Sequence, residues 1–123
     1  MLTIRPEHIQ VFCERSRARF VDLMVAEVRQ HWPDLGEDFG TERTRVVVDA
    51  YVTAALNFGF DTEYDAGRFV HLAFAFRTLS FTTQSWAEDI MNHEDLPARI
   101  RMNRLYDAAL SQMKALERDK KVI

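Results

Sequence analysis

Residues that break helices or form turns are scarce in this chain, and this scarcity restricts the fold more than any other feature. The 123 residues include four glycines and three prolines. A β-sandwich or β-barrel needs a turn after roughly every ten residues, and glycine and proline supply many of those turns. The sequence therefore predicts an all-α protein. With 47% apolar and 28% charged residues, its composition is that of a globular domain rather than of a collagen-like or disordered chain.

Apolar residues at three- and four-residue steps predict a long first helix, from Pro6 to Trp32. Pro6 suits the first turn because its missing N–H would have no partner there. The pattern stops at Pro33, and the glycine-containing segment 34–40 predicts a loop. The apolar side chains of this helix, which we expect to be buried, are Ile9, Phe12, Cys13, Phe20, Leu23, Met24, Val28 and Trp32.

A second helix is predicted from Thr41 to Phe58, because Gly59 suits the left-handed conformation that commonly ends a helix. Residues 46–56 are apolar almost all round the helix, which indicates a central helix packed on several sides. Residues 61–65 then combine a capping side chain with acids in a first helical turn, and they predict the start of a third helix.

The apolar pattern of the third helix extends to Leu79, and residues 78–85 are irregular. Ser85 and Glu88 have the three-residue separation of a capping box, in which the serine is the N-cap. A short fourth helix is therefore predicted over residues 86–92.

Pro97 predicts the start of the last helix, which we expect to end near Arg118, followed by a frayed tail. The whole chain, residues 1–123, is predicted to be a single helical domain, an antiparallel bundle or an orthogonal variant, with four main helices and one short helix. The apolar stripe of the last helix contains Ile100, Met102, Leu105, Tyr106, Ala109, Leu110, Met113 and Leu116.

The sequence contains no signal for export or membrane insertion. Its first ten residues lack an apolar core of signal-peptide length, and no stretch approaches the roughly 18 apolar residues of a membrane span. Cys13 is the single cysteine, so no internal disulfide can form. We therefore expect a cytoplasmic protein that does not associate with membranes.

One acidic string resembles the start of a calcium-binding loop. Asp61, Glu63 and Asp65 alternate as EF-hand ligands do, but Ala66 and Leu72 stand where the loop needs glycine and a final acid. Capping of the third helix explains the acids instead.

Other candidate chemistry is equally weak. Glu27 with His31, and Asp89 with His93, have the spacing of neighbours on one helix face, but a di-iron bundle would need Glu-x-x-His on two helices. Surface ion pairs explain both. His71 lies among phenylalanines and fits a core or interface position better than a haem ligand. The sequence predicts a protein that is not an enzyme, with no catalytic residue, no cofactor and no metal.

Charge is unevenly distributed along the chain. The net charge of −3 argues against nucleic acid as a partner. Residues 34–65 contain eight acidic and two basic residues, whereas residues 99–121 contain seven basic and three acidic ones. Arg99, Arg101 and Arg104 begin the last helix, where a DNA-recognition helix would make contacts, although only the last two share a face.

Several stretches, together covering most of the chain, are similar to a family of small, uncharacterised, all-helical proteins encoded in bacterial type VI secretion islands. The resemblance implies an accessory protein that binds another component of the delivery system: an effector, a chaperone or a spike-associated protein. It transfers no catalytic residue. The similar stretches are residues 1–12, 51–60, 62–65, 68–74, 86–90 and 96–110.

Surplus aromatic residues near the irregular segment predict where a partner binds. We expect His71, Phe74, Phe81 and Trp86 to lie on one surface, which is either the partner site or a homodimer contact. The preferred function is an adaptor or co-chaperone that loads a type VI secretion effector. An immunity protein that masks a basic toxin site with residues 34–65 is the first alternative, and a small DNA-binding regulator is the second.

Overall fold

The computed structural model describes residues 14–93 and 95–122, with the side chains of residues 16–33, 40–93 and 95–115. This part of the chain forms five α-helices and one 3₁₀ turn, without a β-strand. The predicted all-α fold is therefore confirmed. The elements, in order, are α1 (Glu14–His31), α2 (Pro33–Asn57), α3 (Glu63–Ala75), the 3₁₀ turn (Leu79–Thr83), α4 (Ser85–Met91) and α5 (Ala98–Val122).

Several predictions concern residues outside this description. They are the helix start at Pro6, the burial of Ile9, Phe12, Cys13 and Leu116, and the acidic side chains of Asp34, Glu37 and Asp38. Within the described residues, no helix is both long and apolar enough to cross a membrane.

The predicted loop between the first two helices is wrong. Helical structure resumes at Pro33, whose fixed φ and missing N–H suit the first position of a helix. The break comes later, at Gly40, where φ is 72° and ψ is 169°. This non-helical backbone is a kink within α2, which then continues to Asn57. The Thr44 hydroxyl donates to the Gly40 carbonyl oxygen at 2.8 Å.

The predicted end of the second helix is confirmed. Gly59 has φ 93°, the left-handed conformation that glycine adopts without steric cost. Its N–H donates to the Leu56 carbonyl oxygen at 3.0 Å, and the N–H of Phe60 donates to that of Ala55 at 3.0 Å. These two bonds satisfy carbonyl groups that the helix end would otherwise leave unpaired.

The third helix is the centre of the fold. Thr62 is its N-cap, and the Thr62 side chain accepts a hydrogen bond from the N–H of Asp65, as the sequence predicts. The helix ends at Ala75 rather than Leu79, because Arg77 takes a left-handed conformation with φ 64°. Eight of its 13 residues are buried: Asp65, Ala66, Gly67, Phe69, Val70, Leu72, Ala73 and Phe74.

The chain reverses direction between α3 and α5 through the 3₁₀ turn and α4. The predicted capping box at the start of α4 is wrong, because Gln84 is the N-cap and no side chain caps it. The 3₁₀ turn and α4 lead the chain back toward the start of α3, so α5 runs parallel to α3. Contacts between the two advance together, from Asp65 with Arg99 to His71 with Tyr106.

Two antiparallel helices, α1 and α2, cover the other side of α3. Arg17 of α1 contacts Asp49 and Thr53 of α2, and Asp22 pairs with Arg45. The prediction that α2 is packed on several sides is wrong in part, because Val46 is largely exposed. The largest fully buried side chains are Phe20, Met24, Val28, Val48, Val52, Phe60, Phe69, Val70, Leu72, Phe81, Met102 and Leu105.

Candidate functional site

The four predicted partner-binding residues do not form one surface. Successive residues of an α-helix are about 100° apart, so His71 and Phe74 lie on the side of α3 opposite Phe69 and Phe76. The aromatic residues are therefore divided into two groups. We call them the His71 cluster (His31, Trp32, Tyr51, His71, Phe74 and Tyr106) and the Phe81 cluster (Phe58, Phe60, Phe69, Phe76, Phe81 and Trp86).

The Phe81 cluster is part of the core. The Phe81 side chain is 0% exposed, and its ring centroid lies 5.6 Å from that of Phe69 and 5.5 Å from that of Phe76. The predicted surface position of Phe81 is therefore wrong. The 3₁₀ turn brings the irregular segment back against α3, and this reversal buries the ring.

Trp86 forms the outer edge of the Phe81 cluster. Its ring stacks on that of Phe81 at 6.2 Å, and its indole N–H donates to Oε1 of the exposed Gln84 at 2.9 Å. The side chain is half-buried. Trp86 thus combines core packing with a polar edge that faces solvent.

Phe74 is also buried, at 4% exposure, so its predicted surface position is wrong. The ring lies between Trp32, at 6.0 Å, and Tyr51, at 5.0 Å. Phe74 therefore packs against Trp32 and Tyr51 inside the protein and does not form part of an exposed surface.

The accessible part of the His71 cluster joins three helices. The His71 ring centroid is 5.1 Å from those of His31 and Trp32, and 6.4 Å from that of Tyr106. His31 is exposed, and the other three side chains are half-buried. We call these four residues the aromatic surface.

Arg68 borders the aromatic surface and is held by its neighbours. Its guanidinium lies 4.8 Å from the ring centroid of Tyr106 and 5.2 Å from that of Tyr64, and Nη1 donates to Oδ1 of Asn103 at 2.7 Å. Burial raises the pKa of the Tyr106 phenol, so this group stays uncharged at neutral pH. The surface therefore presents rigid rings beside one fixed cation.

Burial lowers the pKa of His71 below its ordinary value, and the neighbouring His31 lowers it further, while Glu27 acts in the opposite direction. The imidazole is therefore neutral at pH 7. It contributes an uncharged, flat ring to the aromatic surface.

This pKa shift predicts that the protein loses stability in mild acid. The folded state disfavours protonated His71, so the free energy of unfolding should fall as the pH drops below the ordinary histidine pKa of about 6.5. The fall should end once the pH has passed the lowered pKa of the folded state. Urea unfolding of His71→Gln at pH 7.5 and 5.5 should show a smaller pH effect than that of the wild type. His93→Gln, at an exposed position, is the control, and an effect of pH that is equal in all three proteins would contradict the prediction.

The arginines of the last helix are mostly engaged within the protein. Nε of Arg99 donates to the Asp65 carboxylate at 2.8 Å, and Arg101 is only 7% exposed. Arg104 alone of the three is exposed. Two of the three arginines in the DNA-binding hypothesis are therefore not free to contact phosphate groups.

Acidic residues do not gather into a metal site in the described part of the chain. No group of three or more histidine, cysteine, aspartate or glutamate side chains there is placed to hold a metal ion. Two carboxylates of the acidic stretch are already paired, Asp49 with Arg17 and Asp65 with Arg99. The proposed toxin-masking surface therefore has fewer free charges than the sequence suggests.

Comparison with protein-family models, curated proteins and solved structures finds no match to this chain.

Sequence reasoning identified His71 but missed its neighbours Trp32 and Tyr106. In the sequence, Trp32 and Tyr106 belong to the apolar patterns of two different helices. Spacing within one helix does not show that both lie beside His71 of a third helix. Arg101 was also missed as a buried group, because arginine in a helix is ordinarily exposed.

Proposed function

We propose that this protein is a non-enzymatic, protein-binding accessory protein, an adaptor or co-chaperone that loads a type VI secretion effector in the cytoplasm. The observation that carries the binding role is the aromatic surface of His31, Trp32, His71 and Tyr106. Tryptophan, tyrosine and arginine are enriched where binding energy concentrates in protein interfaces. The secretion context rests on the sequence resemblance.

The rings of this surface are well suited to binding because they are already fixed. Phe74 packs beneath Trp32, and Arg68 packs on Tyr106. Ordering a side chain at an interface costs about 0.5–1.5 kcal/mol, and rings that are held in the free protein avoid much of that cost. An effector, a chaperone or a spike-associated protein with an apolar anchor is the partner we propose.

Leu110 offers a test of this surface that should spare the fold. It follows Tyr106 by one helical turn, so the two are neighbours on α5, and it is 44% exposed. Leu110→Glu should weaken partner binding at least about tenfold, because a carboxylate would have to be desolvated there. Calorimetric titration of each variant with the partner protein measures the affinity.

Ile100→Glu is the matched control for Leu110→Glu. Ile100 lies on the same helix with a similar exposure of 42%, but it is about 15 Å further back along the axis. Its substitution should leave the affinity unchanged. Equal losses for both variants, or no loss for Leu110→Glu, would place the partner elsewhere.

Co-purification of the tagged protein with the products of its neighbouring genes tests the proposed function directly. An adaptor should retain an effector, chaperone or spike-associated protein and should be required for effector delivery. It should give no protection when the toxin is made inside the cell. Protection there would instead identify an immunity protein, and a stable dimer without any partner would assign the aromatic surface to a second copy of the chain.

A further inference from the structure

A pocket of about 430 Å³ lies where α2 and α4 end beside the first turns of α5. Its volume falls within the range of roughly 300–1,000 Å³ of small-molecule sites. The pocket is separate from the aromatic surface, since none of its lining residues belongs to that surface. It is lined by Asn57, Phe58, Gly59, Met91, Asn92 and Arg101.

The guanidinium of Arg101 faces this pocket. Its Nη1 donates to the Met91 carbonyl oxygen at 3.1 Å, and its Nη2 donates to the Phe58 carbonyl oxygen at 2.7 Å. Both acceptors belong to residues that line the pocket. A Cβ at Gly59 would come within 2.9 Å of Nη2, so glycine makes room for the guanidinium as well as ending α2.

Arg101 is buried without a full set of partners. The residue is 7% exposed, and its Nε has no hydrogen-bond acceptor. No carboxylate among the described side chains, those of residues 16–33, 40–93 and 95–115, forms an ion pair with it. A buried charge is ordinarily paired, because removing it from water without a counterion costs several kcal/mol.

The C-terminal ends of α2 and α4 offset only part of the positive charge of Arg101. The carbonyl groups at a helix C-terminus together carry about half a negative charge at most, and α4 is only seven residues long. Each terminal nitrogen of a guanidinium also has two hydrogens, and one on each is used by a backbone carbonyl. The Phe60 ring lies 5.1 Å from the guanidinium, and the described hydrogen bonds give the second hydrogens no acceptor.

We propose that this pocket binds a small organic carboxylate. The carboxylate would accept hydrogen bonds from the second hydrogens of Nη1 and Nη2, the bidentate geometry that a guanidinium favours. The apolar part would lie against Phe58 and Met91, and the amides of Asn57 and Asn92 are at the rim. A single negative charge matches the partly offset guanidinium better than the double charge of phosphate.

Sodium benzoate, with benzamide as its uncharged analogue of the same shape, tests this proposal on the wild-type protein. Benzoate should shift the Arg101 Nε–Hε signal in the NMR spectrum in a saturable way and should raise the melting temperature. Sodium chloride at the same ionic strength is the salt control. If benzamide produces the same shifts, or benzoate produces none, the carboxylate site is ruled out.

Asn92→Asp provides a second test of the proposal, because it places a carboxylate of the protein itself at the pocket rim. This variant should weaken benzoate binding at least about tenfold, since the tethered carboxylate competes for Arg101. His93→Asp adds the same charge one residue later, outside the pocket lining, and should leave the affinity within about twofold. Equal effects of the two variants would reduce Arg101 to a structural link between two helix ends.

Discussion

Replacing Phe81 with alanine is expected to lower the free energy of unfolding by about 3–5 kcal/mol. The side chain is fully buried and packs against three other rings, Phe69, Phe76 and Trp86. Alanine would remove these contacts and leave a cavity that rigid neighbouring rings fill poorly. Since domains of this size are stable by about 5–15 kcal/mol in total, the variant should unfold at a much lower urea concentration.

Phe58→Ala is the matched control for Phe81→Ala. Phe58 belongs to the same cluster and contacts the same Phe69 ring at 5.7 Å, but it is 36% exposed. Its loss should therefore cost clearly less than the loss of Phe81. Urea denaturation followed by circular dichroism gives both values. A cost below about 1 kcal/mol for Phe81→Ala would be typical of a surface residue and would contradict the buried position.

The helix boundaries that the sequence predicts well depend on a few adjacent residues. Gly59 ends α2 because its left-handed backbone completes the hydrogen bonds of the last turn, and Thr62 begins α3 because its hydroxyl accepts a backbone N–H. Both effects act within about five residues along the chain. A few neighbouring residues are therefore enough to predict them.

The helix boundaries that the sequence predicts badly lie at residues that can adopt more than one local structure. Pro33 ends one helix and begins the next, and the sequence pattern allowed only the first of these roles. Arg77 ends α3 in a left-handed conformation that glycine would ordinarily signal. Its neighbour Thr78 donates its N–H to the Ala73 carbonyl oxygen at 3.0 Å, so the turn itself holds this uncommon conformation.

The candidate site shows the same division between local and long-range information. Aromatic content near α3 pointed to His71, but it could not separate the accessible His71 from the buried Phe74 only three residues away. That difference arises because Trp32 and Tyr51, from other helices, cover Phe74. Burial is a property of the assembled fold, and a single sequence contains no direct record of which helix covers which face.

The pair of Asp65 and Arg99 ties the start of α3 to the start of α5. The Asp65 carboxylate is almost fully buried, with 3% of its side chain exposed. It accepts from Nε of Arg99 at 2.8 Å and from the Thr62 hydroxyl at 3.2 Å. Arg99 is 35% exposed and packs over the Tyr64 ring at 4.7 Å. The carboxylate therefore depends on one cation that reaches it from the protein surface.

Arg99→Met should cost about 3–5 kcal/mol of stability, because it leaves the Asp65 charge buried without its counterion. Adding Asp65→Asn should recover part of this loss, since the asparagine carries no charge and can still contact Thr62. Urea denaturation of the two single variants and the double variant measures the coupling between the residues.

Arg17→Met is the control that separates burial from pairing. Arg17 also contacts an aspartate, at 3.1 Å, and it is exposed to a similar extent, but 55% of its partner Asp49 is exposed. Water can replace that cation, so the loss should be no more than about 1 kcal/mol. If Arg99→Met and Arg17→Met cost the same, the buried position of Asp65 adds nothing to the strength of its pair. A larger cost for Arg99→Met, relieved by Asp65→Asn, would mean that Arg99 is held in the fold by the carboxylate it neutralises and is unavailable to any outside partner.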